Sequence, residues 1–550
     1  MKRIKLIITV GLLSFFMGSC DYLDYSEASY LNKEDIFSDW NRTQSFLSDI
    51  YASLPVGFVP VGGAMRASAA DDAEFVLDYS SVQKFNDGSW SSIQTLDDQW
   101  GQMYSGIRAV NLLLEEVKGR TFDDYKWTDT YTDEMTQFNN YPHEARFLRA
   151  FFYLQLIGRY GNVPLITTVL TEDEANAVSP ASYDDIVNYI VSECDAIIPL
   201  LPVSYAAFTS AKETGRATKG AAMALKARTL LYAASPLHNP SGTAQKWIDA
   251  AKAAKDIINT TTYSLEANYN AFLNNVASKE LILERREGNQ NYFEKANFPV
   301  GYEGGNTGNC PTQNLVDAYE MKANGLNISD PNSGYNPLDP YAGRDPRFAL
   351  TILYNTSPFK SKPLEIWVGG ANASPKTNAT KTGYYLKKYL IEAVSLDPNS
   401  ISTRQHTWVL FRYGEVLLNY AEAMNEAYGP ENASDLGMTA LQAVNLIRSR
   451  AKMPVFPAGL TKDQFRSKLQ NERRVEMAFE EQRFWDIRRW KIGNTTRDIY
   501  GMEITKNEDG TFNYTRKLIE RRVYEDKMNL YPIPLSELYK NNKLKQNTGW

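Results

Sequence analysis

The sequence predicts a mainly α-helical protein whose helices pack in antiparallel pairs and carry a loop-rich side with small sheets. Apolar residues recur at helical spacing in several long segments, and Pro or Gly follows most of them. The stretch 262–405 differs, because it is rich in Gly, Pro, Asn and Tyr, with short extended runs at 281–284 and 384–389. Long loops held by a helical frame are where ligands usually bind.

The clearest helix is predicted over 183–198. Its apolar residues follow the i, i+3, i+4, i+7 pattern, Ser182 and Asp185 form a start like a capping box, and Pro199 ends it. Other helices are predicted at 41–54, 96–117, 143–160, 218–234, 243–259, 408–428, 438–451 and from Thr461 to about 481. We expect antiparallel pairing of 143–160 with 182–198, 218–234 with 243–259, and 408–428 with 438–451.

These helices mix small and aromatic residues, as tetratricopeptide helices do. The run ALKARTLLYA within 218–234 is an example, since small residues let helices approach and large ones fill the grooves. The pairs do not recur at the regular tetratricopeptide period of about 34 residues. The sequence therefore predicts a degenerate, interrupted tetratricopeptide-like scaffold.

The N-terminus has the features of an export signal. A basic start, an apolar run over 6–17 and two small residues precede Cys20, and the apolar run is too short to span a bilayer. We predict a lipoprotein signal peptide at 1–19, cleavage before Cys20 and lipidation of its thiol. The alternative is an ordinary signal peptide with a chance cysteine. The remaining chain is interpreted as a lipidated tether, 20–40, and a single domain, 41–550.

Charge and cysteine content exclude several classes of function. Acidic residues outnumber basic ones, 65 to 59, and there is no run of Lys or Arg, which argues against nucleic-acid binding. Besides Cys20 only two cysteines occur, so one disulfide could form, but a buried free thiol is the preferred interpretation for Cys194. The three histidines, His143, His238 and His406, are not spaced as metal ligands, and no metal site is predicted.

The sequence carries no catalytic motif, which predicts a protein that is not an enzyme and needs no cofactor. Residues 330–339 resemble a calcium loop only vaguely, so a turn is preferred and a weak structural calcium site stays open. Glu415 and Glu422 lie about 10 Å apart along one helix face, where they would not clamp a sugar ring. The alternating acids and arginines of 472–490 predict an ion-pair network that locks a helix to its neighbours.

Seven stretches in order resemble one family, the SusD/RagB outer-membrane lipoproteins of Bacteroidetes. The stretches are 143–164, 216–232, 312–321, 344–348, 412–426, 472–491 and 530–550. The resemblance implies one domain built on four tetratricopeptide-like helix pairs. It also implies a lipid-anchored, surface-exposed protein of the outer membrane that captures oligosaccharides and delivers them to a SusC-like TonB-dependent transporter. The RagB branch supplies a peptide-capturing alternative, and a glycoside hydrolase is less favoured.

By the same resemblance, ligand-binding residues are expected in 65–92 and 290–370. Sugar rings stack on aromatic faces while their hydroxyl groups reach polar side chains. The candidates are Trp90, Trp367, Tyr292, Phe293 and Tyr302 for stacking, and Asp72 and Arg66 for hydrogen bonds. Burial in the core is the alternative for the aromatic residues, and Trp100, Trp485 and Trp490 are interpreted as structural.

Overall fold

Helices dominate the structure, a computed structural model that describes residues 32–205 and 215–550. The predicted signal peptide and Cys20 lie outside the described residues. The α-helices are α1 (Lys33–Phe37), α2 (Trp40–Tyr51), α3 (Gln83–Asp87), α4 (Trp100–Glu116), α5 (Tyr131–Tyr160), α6 (Glu172–Ala175), α7 (Tyr183–Ile197), α8 (Lys219–Ala234), α9 (Ala244–Asn259), α10 (Tyr292–Asn297), α11 (Gln313–Ala318), α12 (Phe348–Thr351), α13 (Tyr413–Tyr428), α14 (Ala440–Arg450), α15 (Lys462–Glu476), α16 (Gln482–Arg489) and α17 (Leu535–Lys540). None of the helices in the described residues is both long and apolar enough to cross a membrane.

The scaffold is a continuous series of packed helices. Helix α4 packs on α5, α5 on α7, α7 on α8, α8 on α9, α9 on α13, and α13 on α14 and α15. All three predicted helix pairs are confirmed by these contacts. Close approach is possible because the facing side chains are small: Ala221, Ala222, Ala251 and Ala254 are fully buried.

Capping residues define where the main helices begin. Ser182 and Asp185 form the reciprocal capping box at the start of α7, and Thr461 and Gln464 form the same arrangement at α15. Both helix starts are therefore set by short-range hydrogen bonds that the sequence predicts.

Several predicted helices have different limits in the structure, among them the one predicted from Thr461 to about 481, which ends at Glu476. The segment predicted as one helix over 408–428 begins as a strand, and helix α13 starts only at Tyr413. The strand forms because residues 404–412 pair with another strand, and this pairing satisfies the backbone better than an isolated helical turn. The helix predicted at 143–160 starts earlier, at Tyr131, with Pro142 inside it.

The strands form six small antiparallel sheets of two strands each within the described residues. The strands are β1 (Ala73–Phe75), β2 (Val163–Pro164), β3 (Pro180–Ala181), β4 (Leu281–Gln290), β5 (Asn309–Pro311), β6 (Ile352–Leu353), β7 (Pro358–Phe359), β8 (Lys362–Pro363), β9 (Tyr385–Leu386), β10 (Arg404–Arg412), β11 (Asp498–Lys506) and β12 (Phe512–Arg521). The pairs are β1–β5, β2–β3, β4–β10, β6–β9, β7–β8 and β11–β12. The predicted mainly α fold with a loop-rich, small-sheet side is thus confirmed.

The loop-rich side has an apolar cluster of its own. Phe298, Leu353, Phe359, Tyr385 and Ile504 are buried together, apart from the main core of the helices. Because the hairpin β11–β12 contributes Ile504, this cluster ties the middle of the chain to a segment near its C-terminus. Cys194 and Cys310 are both free and buried, so the prediction of a buried thiol at Cys194 is confirmed.

A buried ion network joins helix α15 to the loop-rich side. The guanidinium of Arg412 bonds to Glu280 at 2.7 Å, to Glu476 at 2.8 Å and to Glu480 at 2.7 Å, and Arg450 also pairs with Glu476. These side chains are almost entirely excluded from water, so each charge depends on its partners. The network predicted from the pattern of 472–490 is confirmed.

Candidate functional site

The two regions expected to hold ligand residues meet at one small sheet. Strand β1 pairs antiparallel with β5, with Ala73 opposite Pro311 and Phe75 opposite Asn309. Residues 65–92 and 290–370 therefore meet at this buried sheet, although they are far apart in the sequence.

The loop after β1 presents an aromatic ring to solvent. Tyr79 is 85% exposed, which is unusual for a side chain of this size. Ser80 holds the loop in place, because its hydroxyl donates to the carbonyl of Gly62 at 2.8 Å. Gly62 has φ +58°, and a Cβ there would lie 2.3 Å from the Ser81 hydroxyl, so the close approach requires glycine. The loop is thus held at its base while the ring of Tyr79 stays free.

Charged groups bonded to one another lie beside Tyr79. The ammonium of Lys381 donates to Asp78 at 2.5 Å, to Glu74 at 3.1 Å and to the carbonyl of Phe75 at 2.9 Å. Glu74 is buried, whereas Asp78 is exposed. We call Glu74, Asp78, Tyr79 and Lys381 the loop face. It places the exposed ring of Tyr79 next in sequence to an exposed acceptor, Asp78, which the ammonium of Lys381 holds in place.

A further carboxylate, that of Glu520, affects the electrostatics behind the loop face. Glu74 also accepts from Arg522 at 2.6 Å, and Arg522 bonds to Glu520 at 3.1 Å. Burial raises the pKa of Glu520 to about 7, the charge of Glu74 adds to the rise, and Arg522 opposes it. The pair therefore holds a proton near neutral pH.

A second aromatic patch lies on the same loop-rich side. The half-buried ring of Trp367 lies 5.3 Å from that of Phe512, and the ammonium of Lys506 lies 4.6 Å from the centre of the Trp367 ring. A cation over an indole face is favourable, and it leaves part of that face covered.

Comparison with known proteins decides the family. The sequence model of the SusD family matches residues 258–550, which is more than half of the chain. The chain belongs to the SusD family. A second model, described as starch-binding associating with the outer membrane, matches residues 21–231.

Relatives of this SusD-family chain match it along its length. SusD-like protein P2 of Formosa agariphila is 24% identical over all of this chain and 99% of that protein, and SusD-like protein P25 of the same organism is 24% identical over 81% and 77%. A SusD-like protein of Bacteroides fragilis superposes with a TM-score of 0.78 at 26% identity, covering 94% of this chain and 99% of that one. A SusD-like carbohydrate binding protein of the same organism gives 0.75 at 25% identity, covering 93% and 100%.

Trp90, the first stacking candidate, is part of the core of this SusD-family chain, which corrects the prediction. It is only 3% exposed, and its ring lies 4.8 Å from Phe85, 5.2 Å from Tyr531 and 4.5 Å from Trp550. The polar sequence around Trp90 predicted exposure. Two of the three aromatic residues that cover it, Tyr531 and Trp550, come from the other end of the chain, where no local pattern reveals them.

Asp72 and Arg66 are also buried, so the prediction that they reach a ligand is wrong. Asp72 accepts from Arg474 at 2.7 Å, and burial raises its pKa although Arg474 opposes the rise. Arg66 bonds to Asp97 at 2.5 Å and to Glu481 at 2.6 Å. Arg66 also lines a cavity of about 70 Å³, well below the several hundred Å³ typical of ligand pockets.

The remaining candidates divide into one buried and three half-buried residues. Phe293 is fully buried against Phe58, with ring centres 4.7 Å apart, so it cannot stack on a ligand. Tyr292 and Tyr302 are half-buried, and the hydroxyl of Tyr302 donates to the carbonyl of Phe359 at 2.9 Å. Binding roles for Trp367, Tyr292 and Tyr302 stay predictions.

Tyr79 lies within the expected region 65–92 but was not singled out from the sequence. Its immediate neighbours, Asp78 and Ser80, are polar and lack a periodic apolar pattern. A polar stretch of this kind predicts a loop. It does not show whether an aromatic ring in the loop is exposed or buried, because Trp90 lies in equally polar surroundings.

The described residues contain no group of three or more His, Cys, Asp or Glu side chains placed to hold a metal ion. In the loop 330–339, Asp330 accepts from the backbone N–H of Asn332 at 2.8 Å and Asn336 from that of Leu338 at 3.0 Å. Both are Asx turns, in which a side-chain oxygen accepts from the backbone N–H two residues later.

Proposed function

We propose that this protein binds oligosaccharides through its loop face, at the cell surface, and delivers them to a SusC-like TonB-dependent transporter. The observation that carries the proposal is the exposed ring of Tyr79 beside Asp78 and Lys381. A relative of known structure is named as a carbohydrate binding protein, and the model that matches the N-terminal half is described as starch-binding.

The proposed binding mode follows from the chemistry of the loop face. The C–H groups of a sugar ring pack on Tyr79, while its hydroxyl groups donate to the exposed carboxylate of Asp78. Each such hydrogen bond replaces one to water, so its net contribution is about 1 kcal/mol. Stacking on a ring contributes a similar amount. An open surface of this kind gives modest affinity and depends on several simultaneous contacts.

Binding without hydrolysis is part of the proposal. A glycosidase requires two carboxyl groups roughly 5 to 9.5 Å apart on either side of the bond that is cleaved. Glu415 bonds to Arg228 at 2.6 Å and Glu422 to Arg489 at 2.7 Å, so both carboxylates are buried in ion pairs. At the loop face, Asp78 is exposed but Glu74 is buried with its own partners.

The test compares two exposed tyrosines. Tyr79→Ala should weaken binding to a polysaccharide or oligosaccharide roughly tenfold, because a stacking contact is lost. Tyr539→Ala is the matched control: Tyr539 is 79% exposed on helix α17, and its removal should leave affinity unchanged. Affinity electrophoresis against a panel of polysaccharides and calorimetry with the best ligand give the readout.

Three outcomes would contradict the proposal in different ways. Equal binding by Tyr79→Ala and the unmodified protein would move the site elsewhere. Calorimetric binding of peptides with no glycan bound would favour the peptide-capturing alternative. Release of reducing ends by the purified protein would show a hydrolase.

Attachment to the outer membrane through Cys20 is also proposed. Two or more acyl chains give a stable anchor, since each buried CH₂ contributes about 0.8 kcal/mol. Cys20→Ala should move the protein from the membrane fraction to the soluble fraction while glycan affinity stays the same. A Cys20→Ala variant that remained in the membrane fraction would exclude this anchor.

A further inference from the structure

Two buried arginines, Arg344 and Arg488, form no ion pair with a carboxylate of the described residues. Most buried arginines in the described part of the chain pair with a carboxylate, among them Arg412, Arg347 and Arg489. Arg488 on helix α16 is 4% exposed and forms no ion pair with any described residue. A buried charge without a partner is energetically costly. Arginine cannot avoid that cost by becoming neutral, because it does not lose its proton in a protein.

Arg344 shows how a buried arginine is satisfied without a carboxylate. Its guanidinium donates to the carbonyl groups of Val316, Tyr319 and Pro340, which surround it. Arg488 donates only to the carbonyl of Phe484, at 3.0 Å, and its Nε has no hydrogen-bond partner among residues 32–205 and 215–550. The ring of Phe484, 3.5 Å from the guanidinium carbon, offsets only part of the charge.

A small cavity lies beside this group. Its volume is about 20 Å³, and Trp90, Arg488, Arg497 and Arg522 contribute to its lining. The indole N–H of Trp90 is buried and also lacks a partner in the described part of the chain. Two donors without a partner among the described residues, from Arg488 and Trp90, thus belong to residues that line one small space, whereas the guanidinium of Arg522 is already paired with Glu74 and Glu520.

We infer that this cavity is a binding site for one small monovalent anion of chloride size, held by the guanidinium of Arg488 and the indole N–H of Trp90. A cavity of about 20 Å³ holds a single small species and excludes phosphate or sulfate. The anion supplies the negative charge that Arg488 lacks, and charge-assisted hydrogen bonds to it are stronger than neutral ones.

The cavity also has one acceptor, which defines the competing occupant. The side-chain amide N–H groups of Asn86 already donate to the carbonyl of Ser68 and to Gln83, so its amide oxygen is left without a partner there. A water molecule could serve both Asn86 and Trp90, but it would leave the charge of Arg488 uncompensated. Charge therefore favours the anion.

The site connects segments that position the loop face. The backbone N–H of Val523 donates to the carbonyl of Asn86 at 2.7 Å, and Arg522 donates to the carbonyl of Ala73 in β1 at 3.0 Å. An anion between Arg488 and Trp90 would hold α16, the C-terminal segment and the β1–α3 region together. Its removal should loosen the base of the loop that carries Tyr79.

The experiment measures thermal unfolding of the purified protein in sodium chloride, sodium bromide and sodium gluconate at equal ionic strength. Specific binding should raise the unfolding temperature in chloride and bromide above that in gluconate, and the rise should continue with the logarithm of the halide concentration above the dissociation constant. Crystals grown in bromide should show its anomalous signal in the cavity.

Two indole groups of the same aromatic cluster provide the matched variants. Trp90→Phe keeps the ring packing but removes the donor, and should raise the half-saturating chloride concentration roughly tenfold. Trp550→Phe should not, because the indole N–H of Trp550 donates to the carbonyl groups of Lys527 and Leu530. Arg488→Met removes the charge and should abolish the halide effect.

Equal unfolding temperatures in halide and gluconate would overturn the inference, and so would crystals whose cavity holds water without a bromide signal. A halide effect that survives in Arg488→Met would place the anion elsewhere. None of these results depends on whether the protein binds glycans.

Discussion

Lys381 and Lys388 lie on one short segment but reach two different charged regions, the loop face and the buried ion network. Lys381 reaches the loop face, where burial opposes its charge but Asp78 and Glu74 outweigh that effect and raise its pKa. Lys388 reaches the buried network, with its ammonium 2.6 Å from Glu480 and 2.8 Å from the hydroxyl of Tyr269. There burial is the largest effect and lowers the pKa of Lys388 to about 8.

Ion pairs of similar length therefore have different roles at different depths in this molecule. In the buried network, charges are held by several fixed partners and water cannot replace any of them. At the loop face, Asp78 is open to solvent and can exchange its partner for a ligand hydroxyl group. Burial, rather than residue type, separates the structural region from the candidate binding region.

The largest expected effect comes from breaking the buried network. Glu476→Gln leaves Arg412 and Arg450 short of a counter-charge and should lower the free energy of unfolding by about 3–5 kcal/mol. The matched control is Asp463→Asn, which removes an exposed pair with Arg466 and should cost less than about 1 kcal/mol. Denaturant unfolding followed by circular dichroism measures both. Equal effects of the two variants would refute the claim that burial makes the ion pairs of the network more important for stability than exposed ones.

The next effect concerns Lys388 and alkaline pH. Its folded-state pKa, about 8, lies below the unfolded value of 10.5, so the unfolded chain binds more protons between these limits. The contribution of Lys388 to stability should therefore rise as the pH rises from 8 to 10.5. The check is the difference in unfolding free energy between the unmodified protein and Lys388→Met across this range. The neighbouring Lys387→Met is the control, and a flat difference for Lys388→Met would contradict the prediction.

The smallest effect concerns Glu520 behind the loop face. Its folded-state pKa of about 7 lies above the ordinary 4.5, so the folded protein binds more protons between these limits. The contribution of Glu520 to stability is complete below pH 4.5 and should fall as the pH rises to 7. Glu520→Gln should remove this fall, measured as the difference in unfolding temperature between variant and unmodified protein at pH 5 and pH 7.5. A difference that stays constant would show that Glu520 is ionised throughout.

The helical frame could be predicted from the sequence because its signals are short-range. The start of α7 depends on Ser182 and Asp185, three positions apart, and the pattern of apolar residues shows which helix face is buried. Prediction failed where a long-range strand pairing competed with a helical pattern, as at the start of α13.

Patterns within short stretches of sequence were enough to predict most of the helices, their pairing, the ion network of 472–490 and the family. The exposure of polar and aromatic residues, in contrast, could be read only from the folded structure. Asp72 is neutralised by Arg474, 402 positions away, and the backbone of Arg66 bonds to Glu481, 415 positions away. Burial is the sum of contacts from distant segments, and so Trp90 is enclosed while Tyr79, in an equally polar loop, remains free to meet a ligand.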